Sequence, residues 1–184
     1  MDIVSISGSP SLRSRSAWLL QFAQTRLEGS VRHAASVAVR ELPAGALLTA
    51  DIHAEPIQAA IAKVQRADVV IVATPIYKAA YSGVLKLFLD LLPSDVLRGK
   101  TVLPLATGGS LAHLLALDYA LKPVLSALGA RDILDGVFAT DAQLAPHESG
   151  GFVPDARLVE RLDRALLPLA GALPALDLGT RCSA

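Results

Sequence analysis

The six residues DVVIVA, at positions 68–73, decide the fold class. Four β-branched residues follow one another there, with no polar alternation. A strand with one wet face alternates apolar and polar side chains, whereas a strand buried on both faces does not. The run therefore predicts a central strand of a parallel sheet, and parallel pairing requires long crossover connections, usually helices. The flanking sequence supplies them: 55–66 and 82–92 read as helices, the second stopped by Pro93. Farther out, 2–7, 31–40, 101–106 and 133–139 read as strands, and 14–28, 111–128 and 155–173 as helices. The stretches 42–51 and 140–154 read as loops. This alternation, without repeat or linker, predicts an α/β fold with a doubly wound, five-stranded parallel sheet and helices on both faces. One domain is expected over 1–174, with 175–184 as a frayed tail.

Composition narrows the function. The 184 residues are 52% apolar and 18% charged, which predicts a globular chain with a sizeable core. Seventeen basic and 17 acidic residues cancel, and no basic run stands out, so nucleic-acid binding has no support. The start MDIVSISG enters a strand at once and no apolar run reaches membrane-spanning length, so a soluble, cytoplasmic protein is expected. Cys182 is the single cysteine and cannot form an internal disulfide, which fits a reducing compartment.

Open parallel sheets bind ligands beyond the carboxyl ends of their strands. Three loops there are chemically distinctive. After the first strand comes GSPSLRSRS, at 8–16. A helix N-terminus exposes unpaired N–H groups, and Ser9, Ser14 and Ser16 add donors while Arg13 or Arg15 adds charge, so an anion such as a phosphate is suited. Ser14 as a plain helix cap is the other reading. Neither GxGxxG nor GxxxxGK[ST] is present.

After the third strand, 74–83 hold Pro75, Ile76, Tyr77, Lys78 and Tyr81, where main-chain groups could meet the edge of a planar heterocycle. A surface loop with Tyr81 packed on the next helix is the alternative. After the fourth, Thr107, Gly108 and Gly109 let the main chain approach a flat ring, and His113 is either a ligand contact or a capping-region histidine. No metal-ligand set accompanies His113, and no hydrolytic nucleophile motif appears. A phosphate loop and two loops suited to an uncharged ring point to a mononucleotide such as FMN.

Three segments carry a family resemblance: GSPSLRSRS, ATPIYKAAYSGVLKLFLDLLP at 73–93, and LPLATGGSLAHLLALDYALKPVLSALGA at 103–130. They closely resemble NADPH-dependent FMN reductases of the flavodoxin-like superfamily, in particular the reductase components of bacterial two-component alkanesulfonate monooxygenases. The likeness runs to about Phe138. It implies hydride transfer from NAD(P)H to FMN and delivery of reduced FMN to a partner monooxygenase. It places Ser9, Ser14, Arg15 and Ser16 on the FMN phosphate, Pro75, Ile76 and Tyr77 beside the ring, and Thr107, Gly108 and Gly109 at its other edge. Where relatives often carry arginine after the GSP proline, this chain has Ser11, with Arg13 two residues on; Arg13 and Arg15 are thus alternatives for the FMN phosphate and the NADPH 2′-phosphate. No obligatory catalytic side chain is expected, because the nucleotides carry the chemistry.

Leucines on nearly every side of 111–128 suggest cover by another subunit, and with the resemblance favour a homotetramer over a dimer. Pro123 should kink or widen that helix, Asp118 and Lys122 should pair, and Tyr119 is expected at a subunit interface near the flavin, influencing its exchange. A quinone or azo reductase with permanently bound FMN is the alternative enzyme. A flavodoxin-type electron carrier is the non-enzymatic one, disfavoured by the neutral charge and the Gly-Gly pair.

Overall fold

The computed structural model describes residues 1–148 and 150–170. The expected frayed tail, the end of the last helix and Cys182 lie outside the described residues. In chain order the elements are β1 (Asp2–Ser7), α1 (Arg15–Thr25), β2 (His33–Ala38), α2 (Ala44–Leu48), α3 (Glu55–Arg66), β3 (Val69–Tyr77), β4 (Ala80–Tyr81) and α4 (Gly83–Leu89). There follow β5 (Thr101–Gly108), α5 (Lys122–Ala127), β6 (Asp132–Ile133), β7 (Val137–Thr140), β8 (Leu144–Pro146), β9 (Phe152–Pro154) and α6 (Ala156–Leu166).

The parallel sheet runs β2-β1-β3-β5, with β6 and β7 sharing the fifth position beside β5. This is the flavodoxin-like order, and the strand 68–73 lies at its centre as β3. Because side chains alternate across a strand, Val70 and Val72 enter one core with Ile57, Leu85 and Phe88. Val69 and Ile71 enter the other, with Leu19, Leu20 and Leu162. Helices α3, α4 and α5 cover the first face, and α1 and α6 the second. Among the described residues no helix is long and apolar enough to cross a membrane.

Four expectations change. The fifth strand, expected whole over 133–139, is split. Leu134 N donates to Val102 O at 2.9 Å. Parallel pairing would return a bond from residue 104 to the Leu134 carbonyl, but Pro104 has no N–H to give. The ladder therefore lapses and resumes at Leu105–Val137. The stretch 111–128 is likewise not one helix. It comprises a 3₁₀ turn at Leu111–His113, a π-helix at Leu117–Leu121, and α5. Pro123 cannot donate to the carbonyl four residues back, so the chain widens just before it, as expected, and Lys122 Nζ meets Asp118 Oδ1 at 2.6 Å. Within 42–51 a short helix forms, α2, anchored by buried Leu47. Within 140–154 a Thr140–Gln143 capping box starts a 3₁₀ turn, and β8 and β9 form a hairpin.

Phe88 is fully buried beneath the sheet. Phe88→Ala should lower unfolding free energy by about 3–5 kcal/mol in urea titration, through lost transfer energy and the cavity left behind.

Candidate functional site

The chain leaves β1 through Gly8, whose N–H donates to Ala73 O at 2.8 Å. A Cβ there would sit 2.6 Å from Leu85 Cβ, so a side chain cannot pass between β1 and α4 without displacement. Ser9 is buried, and its hydroxyl accepts from Ser11 N at 3.2 Å. Ser14 caps α1, accepting from Ala17 N at 3.1 Å, and its Oγ lies 3.0 Å from Ser16 Oγ. Capping and facing a ligand are compatible, because the hydroxyl retains a further site. Arg15 turns toward the far end of the chain. Its Nε donates to Leu144 O at 3.2 Å and lies 3.7 Å from Asp141 Oδ1, while its guanidinium stands 5.1 Å from the Phe152 ring centroid.

The segment 74–83, expected as a loop, is a tight β-hairpin. β3 runs on to Tyr77, and Ile76 and Tyr77 pair with Tyr81 and Ala80. Its two turn residues, Lys78 and Ala79, have φ of 49° and 65°. A two-residue turn with positive φ at both positions matches the right-handed strand twist, and glycine or asparagine usually provides it. Here neither does, which hid the hairpin in the sequence and leaves the backbone strained. Tyr81 is half-buried, and burial raises its phenol above the ordinary range. Ser82 fastens the hairpin's base. Its N–H donates to Thr74 Oγ1 at 3.0 Å, its hydroxyl donates to the Gly8 carbonyl, and it accepts from Leu85 N at 3.2 Å.

At the end of β5, Thr107 is buried and Gly108 lies against Phe138, whose Cζ would be 3.0 Å from an added Cβ. An added Cβ at Gly109 would meet nothing within 4 Å, so the space before it is open. His113 ends the 3₁₀ turn, and its buried Nδ1 has no hydrogen-bond partner.

All the predicted site residues except Ser16 and His113 line one cleft of about 210 Å³ at the carboxyl edge of the sheet. Ser16 is buried behind Ser14, and His113 is not among the lining residues. Ser11, Arg13 and Asp141 complete the lining. Asp141 is the one missed by sequence reasoning. Its signal was its place just after β7, at a fourth carboxyl end, but 140–154 had no periodicity to fix where that strand stopped. The serine loop contributes the hydroxyls of Ser9, Ser11 and Ser14 and the guanidinium groups of Arg13 and Arg15, while Pro75, Ile76, Gly108 and Gly109 contribute main chain and apolar surface. Among the described residues no cluster of metal ligands occurs.

Residues 1–145 match the model of the family described as NADPH-dependent FMN reductase. The chain belongs to that family. It is 49% identical to the FMN reductase (NADPH) of Escherichia coli K12 over 90% of this chain and 86% of that one. It is 51% identical to the FMN reductase (NADPH) of Pseudomonas putida KT2440, over 90% and 83%. The solved apo structure of an NADH:FMN oxidoreductase, EMOB, superposes with a TM-score of 0.83 at 38% identity, covering 95% of this chain and 90% of that one. The chain is thus an NAD(P)H-dependent FMN reductase, with FMN and NADPH as its nucleotides.

The cleft's chemistry fits FMN. Ser9, Ser14 and Arg15 could hold its phosphate, while Pro75, Ile76 and Tyr77 on one side and Thr107, Gly108 and Gly109 on the other could frame its ring. Ala79→Gly removes the Cβ that opposes the left-handed turn. It should raise stability by up to about 1 kcal/mol in thermal unfolding with the hairpin retained.

Proposed function

We propose that this FMN reductase treats flavin as an exchangeable substrate and supplies reduced FMN to a partner flavin-dependent monooxygenase of the alkanesulfonate type. In this reading Ser9, Ser14 and Arg15, with Ser16 behind them, hold the FMN phosphate, and His113 lies beside the far end of the site. Bound together, the two nucleotides supply the redox chemistry, in which a hydride passes from NADPH to the flavin; the chain binds and orients them. The reading places this exchange in the cytoplasm.

The observation that carries it is the Arg15–Asp141 pair at 3.7 Å. A phosphate monoester bears about 1.5–2 negative charges near neutrality. Asp141 both opposes that charge and competes for the guanidinium that would offset it. A cleft built for permanent retention would not line its anion end with a carboxylate. The three resembling segments support the choice of partner.

Under anaerobic conditions, gel-filtered protein should oxidise NADPH stoichiometrically with added FMN over many turnovers. Reduction confined to flavin that stays bound, with turnover restored by a quinone or azo dye, would favour the permanent-cofactor enzyme instead. Asp141→Asn should tighten FMN binding by roughly 3- to 10-fold in fluorescence titration, the effect of removing one partly exposed charge.

We propose further that a second copy covers the face carrying Leu111, Leu115 and Tyr119, which are 63%, 57% and 79% exposed, and that the assembly is a homotetramer. The hairpin strand β4, which follows Tyr77 at the cleft, packs against the π-helix Leu117–Leu121, so this face would bring Tyr119 toward the flavin. Sedimentation equilibrium should give a tetramer that Tyr119→Ala weakens; a monomer at micromolar concentration would exclude the arrangement.

A further inference from the structure

The flavin cleft leaves an adjoining groove unexplained. A groove of about 470 Å³ runs along the outer side of the first turns of α1 and shares Arg13, Ser14 and Arg15 with the cleft. That volume lies within the range of small-molecule sites, about 300–1,000 Å³. Its chemistry differs from that of the cleft. Arg13 borders both spaces, and its guanidinium has no ion pair or hydrogen bond among the described residues. Across from it Arg40 enters from the 3₁₀ turn Val39–Glu41 that follows β2. Arg40 Nη1 donates to Ser11 O at 2.6 Å, which fixes the head of this long side chain against the serine loop. Its Nη2 is only 3.4 Å from the exposed Glu41 carboxylate, a long contact that leaves donor capacity free.

The rest of the groove mixes polar side chains with two aromatic rings, Trp18 and Phe152. Trp18 stacks on Phe22 at 5.1 Å and meets Phe152 edge-on at 6.3 Å. The far wall is formed by Pro146, His147, Gly150 and Gly151, between the end of β8 and the start of β9. Gly151 there has φ +77°, and a Cβ on it would lie 3.0 Å from Trp18 Nε1. Glycine therefore lets the hairpin close against the indole and shape the groove.

FMN carries one phosphate, and the cleft already supplies its cradle. NADPH carries a second phosphomonoester, on the adenosine 2′-oxygen, attached to a planar purine. We propose that this groove binds the adenosine 2′-phosphate end of NADPH. Arg13 and Arg40 hold the 2′-phosphate, and the Trp18–Phe152 wall takes the adenine. Arginine suits the role because its planar, permanently charged fork meets phosphate oxygens in pairs. An arginine near the ribose is a general solution for accepting a 2′-phosphate. Arg13, which borders both spaces, then marks where the pyrophosphate would pass from groove to cleft. The proposal rests on the adjoining cleft being the flavin site, and it makes Arg13 and Arg40, from loops 27 residues apart in sequence (40 − 13), the determinants of nicotinamide nucleotide choice.

The test uses FMN-saturated protein and two probes, 2′,5′-ADP and 5′-ADP, titrated calorimetrically. The phosphorylated probe should bind at least about tenfold more tightly, the order expected of charge-assisted hydrogen bonds. Arg13→Ala and Arg40→Ala should each bring the two probes close together, and Arg40→Lys should restore part of the difference. In steady-state assays Arg40→Ala should raise KM for NADPH about tenfold or more while KM for NADH and for FMN stays within about twofold. Equal binding of the two probes by the unaltered protein overturns the proposal, and so does a parallel rise in KM for NADPH and NADH. Displacement of FMN by 2′,5′-ADP also overturns it, since the groove would then serve the flavin phosphate. Failure of the flavin assignment reads differently: Ser9→Ala, a change confined to the cleft, would leave FMN affinity unchanged while discrimination between the probes persisted.

Discussion

Three neighbouring strands that point the same way carry the whole arrangement. Ser7 is paired with Ala73, and Pro75 with Thr107, so β1, β3 and β5 leave the sheet at one edge but not at one level. β3 continues four residues past the end of β1 (77 − 73), or roughly 13 Å at the usual rise. The serine-rich loop fills the ledge left by the shorter strand. The hairpin of β3 and the Gly-Gly turn after β5 stand beyond it. A ledge at the serine-rich loop and an open platform beyond it therefore follow from strand register, and the serines and arginines make the ledge polar.

A small set of hydroxyl groups holds that step in place. Thr74, Ser82 and Gly8 come from three different segments and are tied by the hydrogen bonds of Ser82 to both partners. All of these polar atoms are buried, where an unpaired group costs about 1–3 kcal/mol. Each bond is therefore worth keeping for the others' sake, and the close approach of Gly8 to Leu85 admits little alternative packing. The strained Lys78–Ala79 turn rests on this base. The strain is tolerated because the pairs on either side of the turn are fixed from below.

What could be read from the sequence was whatever depended on one segment at a time. β3 declared itself because burial on both faces needs a continuous apolar run, and Glu55–Arg66 because its apolar residues kept helical spacing. The three carboxyl-edge loops were found because topology alone brings them together. What escaped depended on two segments at once. Pro104 splits the fifth strand only because its missing N–H faces Leu134, a partner that sequence does not name. The hairpin at Lys78–Ala79 carries no glycine signal, since tertiary contacts rather than local preference hold it. Asp141 and Arg40 were invisible for the same reason: each reaches the serine loop's neighbourhood from a connection whose end point depends on how a distant strand stops.

In the proposed arrangement the two arginines of the serine loop, Arg13 and Arg15, serve two different nucleotides. Arg15 is engaged by Asp141, Leu144 and Phe152, all from much later in the chain, whereas Arg13 has no such partner among the described residues. An ion pair this exposed is worth only about 0.2–1 kcal/mol, so the Asp141 contact itself adds little to the cost of turning Arg15 toward an arriving phosphate. In the proposed arrangement the flavin gains recognition from this exchange of partners but little net retention. Most of its hold then comes from neutral hydroxyl and main-chain groups, which respond weakly to the charge the flavin acquires on reduction. The uncommitted Arg13, paired with Arg40 across the groove, offers its full charge to the other nucleotide. In that arrangement, unequal commitment of two neighbouring cations separates a flavin that leaves from a reductant recognised by its 2′-phosphate.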